Sequence, residues 1–157
     1  MADLMHLDEE IIVEDIMKDM FFIFEIDNED YGVEVANVKE IISMSEQKIT
    51  SVPQMPDFIE GIINLRGDLI GVLDVRKRFG KETKDYDENT CVVVIMYNNY
   101  HLGLIVDGVK ATQTIKPENV TAPPNAKLNS YNQFIRNIGQ TADGVKLLLD
   151  MERFLEQ

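Results

Sequence analysis

The feature that most constrains the fold of this chain is an internal repeat. Gly32 recurs 71 residues later as Gly103, and the apolar residues around it recur at the same offset. Asp74 recurs 76 residues later as Asp150, again within a matching apolar segment. Two unrelated β-rich segments would align apolar residues by chance, but not a glycine and an aspartate at fixed offsets. The repeat therefore predicts two similar small barrels that pack on one another, because each alone is too small for a secure core.

Alternating apolar residues predict two β-hairpins in the first half of the chain. The strand pattern of residues 21–26 resumes at Tyr31, after the polar tetrad at residues 27–30, which predicts the first hairpin. Two further apolar segments flank a turn at residues 66–68 and predict a second hairpin that ends at Val75. The fold class is therefore mainly β, and closing such small sheets into barrels removes their exposed edges.

Three segments of the first half depart from the strand pattern. Apolar residues at positions 35, 38, 41 and 42 have a spacing that predicts one or two helical turns. Residues 58–61 predict a single helical turn that is closed by Gly61. Residues 77–88 are predicted to form a charged loop. Short helices are therefore expected between the strands.

The chain is strongly acidic, with a net charge of −13, and its first 20 residues carry seven acidic residues against Lys18 alone. Phosphate backbones and anionic lipids would repel such a surface, so we expect no binding to nucleic acid and no direct membrane insertion. No apolar run approaches the roughly 20 residues that span a bilayer, and no basic region precedes an apolar stretch as in a signal peptide. The acidic tail is either a short amphipathic helix, with Ile11, Ile12, Ile16 and Met20 on one face, or disordered.

The sequence contains no arrangement of residues that is typical of an active site or a metal site. His6, His101 and Cys91 are isolated and do not have the spacing of metal ligands. Residues 27–30 resemble the start of a calcium loop, but Val38 stands where the bidentate glutamate would be needed. Nucleotide-binding and nucleophile motifs are also absent from the sequence. We therefore expect no catalytic residue, no metal and no cofactor.

Glu40 and Arg66 are two charged residues in apolar surroundings. They are either unrelated surface charges or a half-buried pair. A half-buried arginine needs a carboxylate partner, because an unpaired buried charge is strongly destabilising. Glu40 can be that partner if the turn at Arg66 folds over the segment that contains Glu40.

Six short segments carry a recognisable pattern: Tyr31-Gly32-Val33-x-Val35-x-x-Val38-x-Glu40-Ile41, Val52-Pro53-x-x-Pro56-x-Phe58-Ile59-x-Gly61, Ile63-Asn64-Leu65-Arg66-Gly67, Val72-x-Asp74-Val75-Arg76, Gly103-Leu104-x-Val106-Asp107-x-Val109 and Leu148-Leu149-Asp150. Together they resemble the CheW family of chemotaxis coupling proteins over residues 21–155. Gly71 and Asn137 depart from the family pattern, since they stand where the family usually has proline and glycine. The acidic tail lies outside the resemblance.

The resemblance implies two intertwined SH3-like five-stranded β-barrels with short helices, including a C-terminal helix. It implies a non-catalytic cytoplasmic adaptor that links chemoreceptors to the histidine kinase CheA in signalling arrays at the inner membrane. The implied partners are the CheW-like regulatory domain of CheA and the cytoplasmic tip of the chemoreceptors. The expected domains are a tail at residues 1–20 and a CheW-like domain at residues 21–157, with barrel subdomains at about 21–90 and 91–155 and strand exchange possible.

Site residues also follow from the resemblance. The receptor tip is expected to dock in an apolar groove between the barrels that includes Val35, Val38 and Ile41. Glu40 and Arg66 are expected to form an ion pair that holds the geometry of this groove. Structural turns are expected at Gly61, Asn64, Gly67 and Gly103.

Two other functions are consistent with the sequence. The chain can be a receiver-less relative of the CheV coupling proteins, or a regulatory piece of a kinase. In the CheV case, the residues after Leu155 leave no room for a receiver domain. It can also be a small-molecule-binding barrel or an enzyme, which a deep pocket with converging polar side chains would favour.

Overall fold

The computed structural model describes residues 16–123 and 133–156, and most of the acidic tail lies outside these ranges. Residues 16–17 are helical, and the question of a helical or disordered tail otherwise falls outside the described residues. Within them the chain forms strands β1 (Met20–Ile26), β2 (Glu29–Glu34), β3 (Val38–Ser43), β4 (Ile59–Leu65), β5 (Asp68–Asp74), β6 (Cys91–Tyr97), β7 (Tyr100–Val106), β8 (Gly108–Thr114), β9 (Val120–Thr121), β10 (Ile135–Thr141) and β11 (Gly144–Leu149). The described elements also include two short α-helices, α1 (Val75–Arg78) and α2 (Met151–Leu155), and 3-10 turns at Val35–Asn37, Met44–Glu46 and Pro117–Asn119.

Both predicted hairpins are confirmed. β1 and β2 join through Asp27 and Asn28, with φ angles of 51° and 64°, and β4 and β5 join through Arg66 and Gly67, with φ angles of 52° and 90°. Two consecutive residues with positive φ make a tight turn whose twist matches that of the flanking strands. Asn64 supports the second turn, because its Oδ1 accepts a hydrogen bond from the Gly67 backbone N–H at 2.9 Å.

The strands form two sheets, and each sheet takes strands from both halves of the chain. Sheet A has the order β8-β1-β2-β11-β10-β9, and sheet B has the order β3-β6-β7-β5-β4. Gly32 of β2 pairs in parallel with Leu148 of β11, and Gly103 of β7 pairs in parallel with Val72 of β5. The offset of 71 relates Gly32 to Gly103, and the offset of 76 relates Val72 to Leu148. The two junctions are therefore equivalent in the repeat. The predicted mainly-β fold of two intertwined barrels is therefore confirmed, whereas the division of the chain at about residue 90 stays a prediction.

A shared aromatic core joins the two halves. Phe79 packs against Tyr31, Phe134 and Phe154, with ring centroids 5.1, 5.9 and 5.8 Å apart. All four rings are buried. Aromatic pairs in such geometries contribute about 0.5–1.5 kcal/mol each beyond their area burial. Because the four residues come from both halves of the repeat, the halves share one core.

The segment predicted to be helical at residues 35–42 is a 3-10 turn followed by strand β3. A β-bulge explains the error. The register between β3 and β6 shifts between Val38 and Glu40, so two residues of β3 lie opposite one residue of β6. The extra residue returns Val38 and Ile41 to the same face of the strand although they are three positions apart. Their spacing therefore imitates that of a helical turn.

Gly61 and Gly103 are predicted to lie in turns, but both lie inside strands. Gly61 has a φ of +149°, and a Cβ there would lie 2.1 Å from the backbone oxygen of Thr50. A Cβ on Gly103 would lie 2.6 Å from Val92 and 2.9 Å from Val72. Close approach of neighbouring chain, rather than a turn, explains both glycines. The predicted helical turn at residues 58–61 is consequently wrong, since β4 begins at Ile59.

The repeated aspartates are helix caps. Asp74 accepts hydrogen bonds from the backbone N–H groups of Arg76 and Lys77 in α1, and Asp150 accepts one from the backbone N–H of Arg153 in α2. Each also donates its own backbone N–H at 2.8 Å, Asp74 to Phe58 and Asp150 to Phe134. The charged loop predicted at residues 77–88 therefore begins with the end of helix α1.

Candidate functional site

The residues predicted to line the receptor groove lie together at the edge of sheet B. Val35 and Val38 are half-buried and pack against the shared core, whereas Ile41 is 40% exposed. We call these three residues the β3 strip, because β3 is the outer strand of sheet B. Glu40 points to the opposite face of the strand from its neighbour Ile41. The strip is an accessible apolar surface, and its role in receptor binding stays a prediction.

Glu40 and Arg66 form an ion pair, in which Arg66 Nη2 donates a hydrogen bond to Glu40 Oε2. The Glu40 side chain is 24% exposed and the Arg66 side chain is 71% exposed. A pair that fixes a groove needs to be at least partly buried on both sides, and Arg66 does not meet this condition. Exposed pairs contribute about 0.2–1 kcal/mol. The pair can orient Glu40, and its groove-organising role stays a prediction.

The internal repeat provides a counterpart of the β3 strip that the sequence predictions missed. At the offset of 71, Val38 and Ile41 correspond to Val109 and Thr112 in β8, the outer strand of sheet A. The pairing of β8 with β1 contains a register shift at the equivalent place. Val109 is 36% exposed. The repeat is the signal that could have identified Val109.

Exposed apolar side chains gather on one face of sheet B. Leu69 is 68% exposed and Tyr100 is 75% exposed. Gly71 pairs with Leu102 across the parallel junction, so Leu69 and Tyr100, each two residues earlier, lie side by side on the same face. Tyr97 pairs with Tyr100 and extends this face onto β6. We call Leu69, Tyr97, Tyr100 and Leu102 the sheet-B patch.

The sheet-B patch is continuous with the protein core. Tyr97 and Leu102 are half-buried and pack against the shared core, while Leu69 and Tyr100 extend the apolar surface outwards. Gly71 has no side chain to cover the centre of the patch, where a Cβ would lie 3.6 Å from Leu102. Contiguous exposed apolar residues are typical of a binding surface, whereas isolated ones are ordinary. The alternation of side chains along the strands predicts which residues share a face of sheet B. It does not predict which part of that face sheet A leaves uncovered.

A cluster of charges joins the β1–β2 turn, helix α1 and the β7–β8 turn. Arg76 Nη1 lies 2.6 Å from Asp27 Oδ1 and 2.6 Å from Asp107 Oδ2. Burial alone would lower the pKa of Arg76, but the two carboxylates outweigh burial and raise the pKa above its usual value. Burial would likewise raise the pKa of Asp27, and its contacts with Arg76 and Lys81 lower it instead. Both charges are therefore stabilised in place, as in a structural network rather than an acid–base pair.

A second polar cluster surrounds a small cavity. The cavity holds about 10 Å³ and is lined in part by Asp74, Tyr86 and Asp107. Burial raises the pKa of Asp74, and burial together with Asp74 raises the pKa of Tyr86. Perturbed groups of this kind can mark an active site. This cavity, however, has room for one water molecule at most and not for a substrate.

Residues 16–123 and 133–156 contain no group of three or more histidine, cysteine, aspartate or glutamate side chains that could hold a metal ion. Over the same ranges, no helix is long and apolar enough to cross a membrane. The features described above are an edge strip, an apolar patch, and ion pairs at the turns around them.

Fold and surfaces together define a β-barrel scaffold with exposed apolar surfaces suited to protein contacts. The family model for the CheW-like domain matches residues 20–157. The chain is 31% identical to the chemotaxis protein CheW of Klebsiella aerogenes over 135 residues, which covers 86% of this chain and 80% of that protein. It is 27% identical to the chemotaxis protein CheW of Bacillus subtilis, with coverage of 86% and 85%. The chain belongs to the CheW family.

A solved structure supports the same assignment. The scaffolding protein TtCheW from Thermoanaerobacter tengcongensis aligns with a TM-score of 0.80 and 29% identity, covering 88% of this chain and 93% of that one. The chain is also 31% identical to the chemotaxis protein CheV3 of Helicobacter pylori over 131 residues, but it covers only 41% of that protein. The chain is thus a chemotaxis scaffold protein of the CheW type.

Proposed function

We propose that this chain couples chemoreceptors to the histidine kinase CheA in cytoplasmic arrays at the inner membrane, without catalytic activity of its own. The observation that supports the proposal is that two sets of apolar residues, the β3 strip and the sheet-B patch, are accessible on one scaffold. An adaptor needs two contact surfaces that can be occupied together. The strip and the patch share no residue, and they lie on the same face of sheet B, since Val38 pairs with Ile95 and Ile95 pairs with Leu102.

The β3 strip is proposed to bind the helical tip of the receptor. A helix that lies in an apolar groove depends on a few anchor residues, each worth about 1–3 kcal/mol. Val38 is half-buried and shares its face with the exposed Ile41. Val38 can therefore contact a partner while it also packs against the shared core.

The sheet-B patch is proposed to bind the CheW-like regulatory domain of CheA. Exposed side chains that continue an internal core are suited to packing against a similar barrel. Tyrosine is enriched at such interfaces, since it combines a large apolar ring with a polar end. We expect an interface of modest area with an apolar centre.

Binding assays with CheA test the kinase contact. The immobilised chain should retain full-length CheA. It should not retain a CheA variant from which the CheW-like domain has been deleted. Leu69→Asp should weaken retention about tenfold or more, because it places a charge in the apolar centre. Val52→Asp is the matched control, since Val52 is also exposed but lies outside the patch. Retention of the deleted CheA would show that the proposed contact is wrong.

Val38→Asp tests the receptor contact. The change should weaken binding to a receptor tip hairpin while leaving binding to CheA unchanged, because Val38 lies outside the sheet-B patch. Circular dichroism serves as the check on folding. A variant that unfolds shows that Val38 is a core residue, and a folded variant with full receptor affinity shows that the strip is not the receptor site.

A further inference from the structure

A cleft of about 550 Å³ opens on sheet A, on the side where the sheet does not close. The end of β8 lines one wall and the end of β10 lines the other. Every lining side chain is uncharged, and five of the six carry an amide or a hydroxyl group. Such a surface can select its ligand by hydrogen bonding, and the one carboxylate beside it, that of Asp143, already accepts hydrogen bonds from Gln113 and Thr141. The lining residues are Gln113, Thr114, Asn119, Gln140, Thr141 and Ala142.

Among the described residues, the strands on both sides of this cleft have an outer edge without a strand partner. β8 is an outer strand, and residues 112–114 keep a regular register with β1 on their inner edge alone. β9 pairs with β10 only at residues 138–139, so residues 140–141 have no strand partner on that side in the described part of the chain. At the β4 edge of sheet B, by contrast, Thr50 covers the strand with two hydrogen bonds to Ile62. A free edge presents N–H and C=O groups to which another strand can add.

Gln113 carries an unsatisfied group at the cleft. Its Nε2 donates a hydrogen bond to Asp143 Oδ1 at 3.2 Å, whereas its Oε1 is buried and accepts none from the residues that the structure describes. Reversing the amide would place the oxygen against the Asp143 carboxylate, so it is the nitrogen that faces Asp143. A buried acceptor without a donor is destabilising. A side-chain rotation that brings Oε1 to the surface of the cleft would let it accept a hydrogen bond from an N–H group of a ligand.

We propose that this cleft binds an extended, uncharged peptide segment of a partner protein, which adds as a strand to the free edge of β8. Main-chain hydrogen bonds to residues 112–114 provide the affinity, as in other cases of strand addition. The amides of Gln113 and Gln140 bind the peptide groups that face the cleft. The site shares no residue with the β3 strip or the sheet-B patch, so it is independent of the function proposed above.

Selection from a phage-displayed library of random heptapeptides against the full-length chain tests this site. Enriched peptides should be uncharged and rich in strand-forming residues. One enriched peptide is then synthesised, and its binding should shift the backbone amide resonances of residues 112–114 and 140–141. N-methylation of alternate peptide amides should weaken binding about tenfold, because it removes main-chain donors. A selection without enrichment, or enriched peptides that bind as helices, would overturn the proposal.

Two glutamine substitutions locate the peptide. Gln113→Leu and Gln140→Leu remove an amide at similar side-chain volume, and each should weaken peptide binding about fivefold. Gln47→Leu is the control, because Gln47 lines a separate cleft beside Met44. Amide spectra of the three variants confirm that they remain folded, and their binding to CheA should be unchanged. Equal loss of peptide binding in Gln47→Leu, or full binding in Gln113→Leu, would contradict the site.

Discussion

At the scale of single residues, the interiors of the two sheets differ most at Ile70 and Lys146, which the repeat makes equivalent. Ile70 is buried among apolar side chains of sheet B. The Lys146 side chain is 1% exposed, and its Nζ lies 2.5 Å from Asp30 and 3.3 Å from Asp143. Burial would lower the pKa of Lys146, but these carboxylates outweigh burial and raise it. The charge is tolerated because it is paired.

Lys146→Met should lower the free energy of unfolding by about 3 kcal/mol, because it leaves a half-buried carboxylate without its closest partner. Lys110→Met is the matched control, since Lys110 also pairs with Asp30 but its side chain is 46% exposed. The control should cost less than about 1 kcal/mol. Urea unfolding measures both changes. Equal losses in the two variants would show that burial does not determine the strength of these pairs.

Arg66 can act through Glu40 or through direct contact with a partner protein, and a double-mutant cycle separates the two. If Arg66 acts only through its ion pair with Glu40, Arg66→Ala should cause little further loss of partner binding once Glu40→Ala is present. The exposure of Arg66 limits the pair to about 1 kcal/mol. A loss of partner affinity well above that limit, with additive effects of the two substitutions, would assign Arg66 to direct contact. Affinities for CheA and for a receptor tip hairpin are measured for all four proteins.

At the scale of strands and helices, the parallel junctions depend on two glycines. A Cβ on Gly32 would lie 2.8 Å from Leu148 and 3.3 Å from Ile23, and a Cβ on Gly103 would meet Val92 and Val72 at 2.6 and 2.9 Å. Gly32→Ala and Gly103→Ala should therefore each destabilise the fold by about 1–3 kcal/mol through overpacking. Gly103→Ala should cost more, because valine is stiffer than leucine. Thermal unfolding measures both.

Gly71→Ala is the control for these junctions. Gly71 lies in the same pairing but has open space around it, since a Cβ there would meet only Leu102, at 3.6 Å. Because alanine restricts the unfolded chain more than glycine, this change should be neutral or stabilising by up to about 1 kcal/mol. A loss at Gly71 as large as that at Gly103 would show that backbone flexibility, and not space, is needed at the junction.

The elements that follow from local pattern are predictable from the sequence, and those that depend on tertiary contacts are not. Both hairpins follow from alternation and turn residues, because those signals are local. The bulge in β3 imitates a helical turn, since one added residue gives Val38 and Ile41 a helical spacing. Gly61 is predicted to end a helix because glycine is common at that position. The local sequence does not show that the Thr50 backbone passes close to Gly61. The sheet-B patch depends on which faces the two sheets cover, which requires the whole fold.

At the scale of the whole molecule, neither half of the chain completes a sheet. β2 requires β11, and β5 requires β7. Arg78 also lies between the rings of Phe58 and Phe134, at 4.4 and 4.6 Å from their centroids, and so joins equivalent residues of the two halves. The repeat predicts two barrels and is consistent with an exchange of strands between them. It does not predict that exchange, because the periodicity of a strand does not encode its pairing partner.

Fragments 1–90 and 91–157 should therefore not fold when separate, and equimolar mixing should restore the circular dichroism and cooperative unfolding of the intact chain. The physical reason is that each fragment lacks the strands that complete its sheets. Folded chain cleaved within residues 81–88 is the control, since it holds the same strands already paired. Independent cooperative unfolding of either fragment would contradict strand exchange as the basis of stability.

Strand exchange also sets an order of events during synthesis. Tyr31 pairs with Leu147, so the ribosome must add 116 further residues before the first hairpin meets its partner strand. At about 5–20 residues per second, this takes roughly 6–23 s. The neighbouring strand β1 gains its partner β8 earlier, because Phe22 pairs with Thr112, 90 residues later in the chain. Until then the apolar faces of β1 and β2 have no partner from the C-terminal half. The seven acidic residues among the first 20 emerge ahead of them, and their charge repels other nascent chains while the hairpin waits.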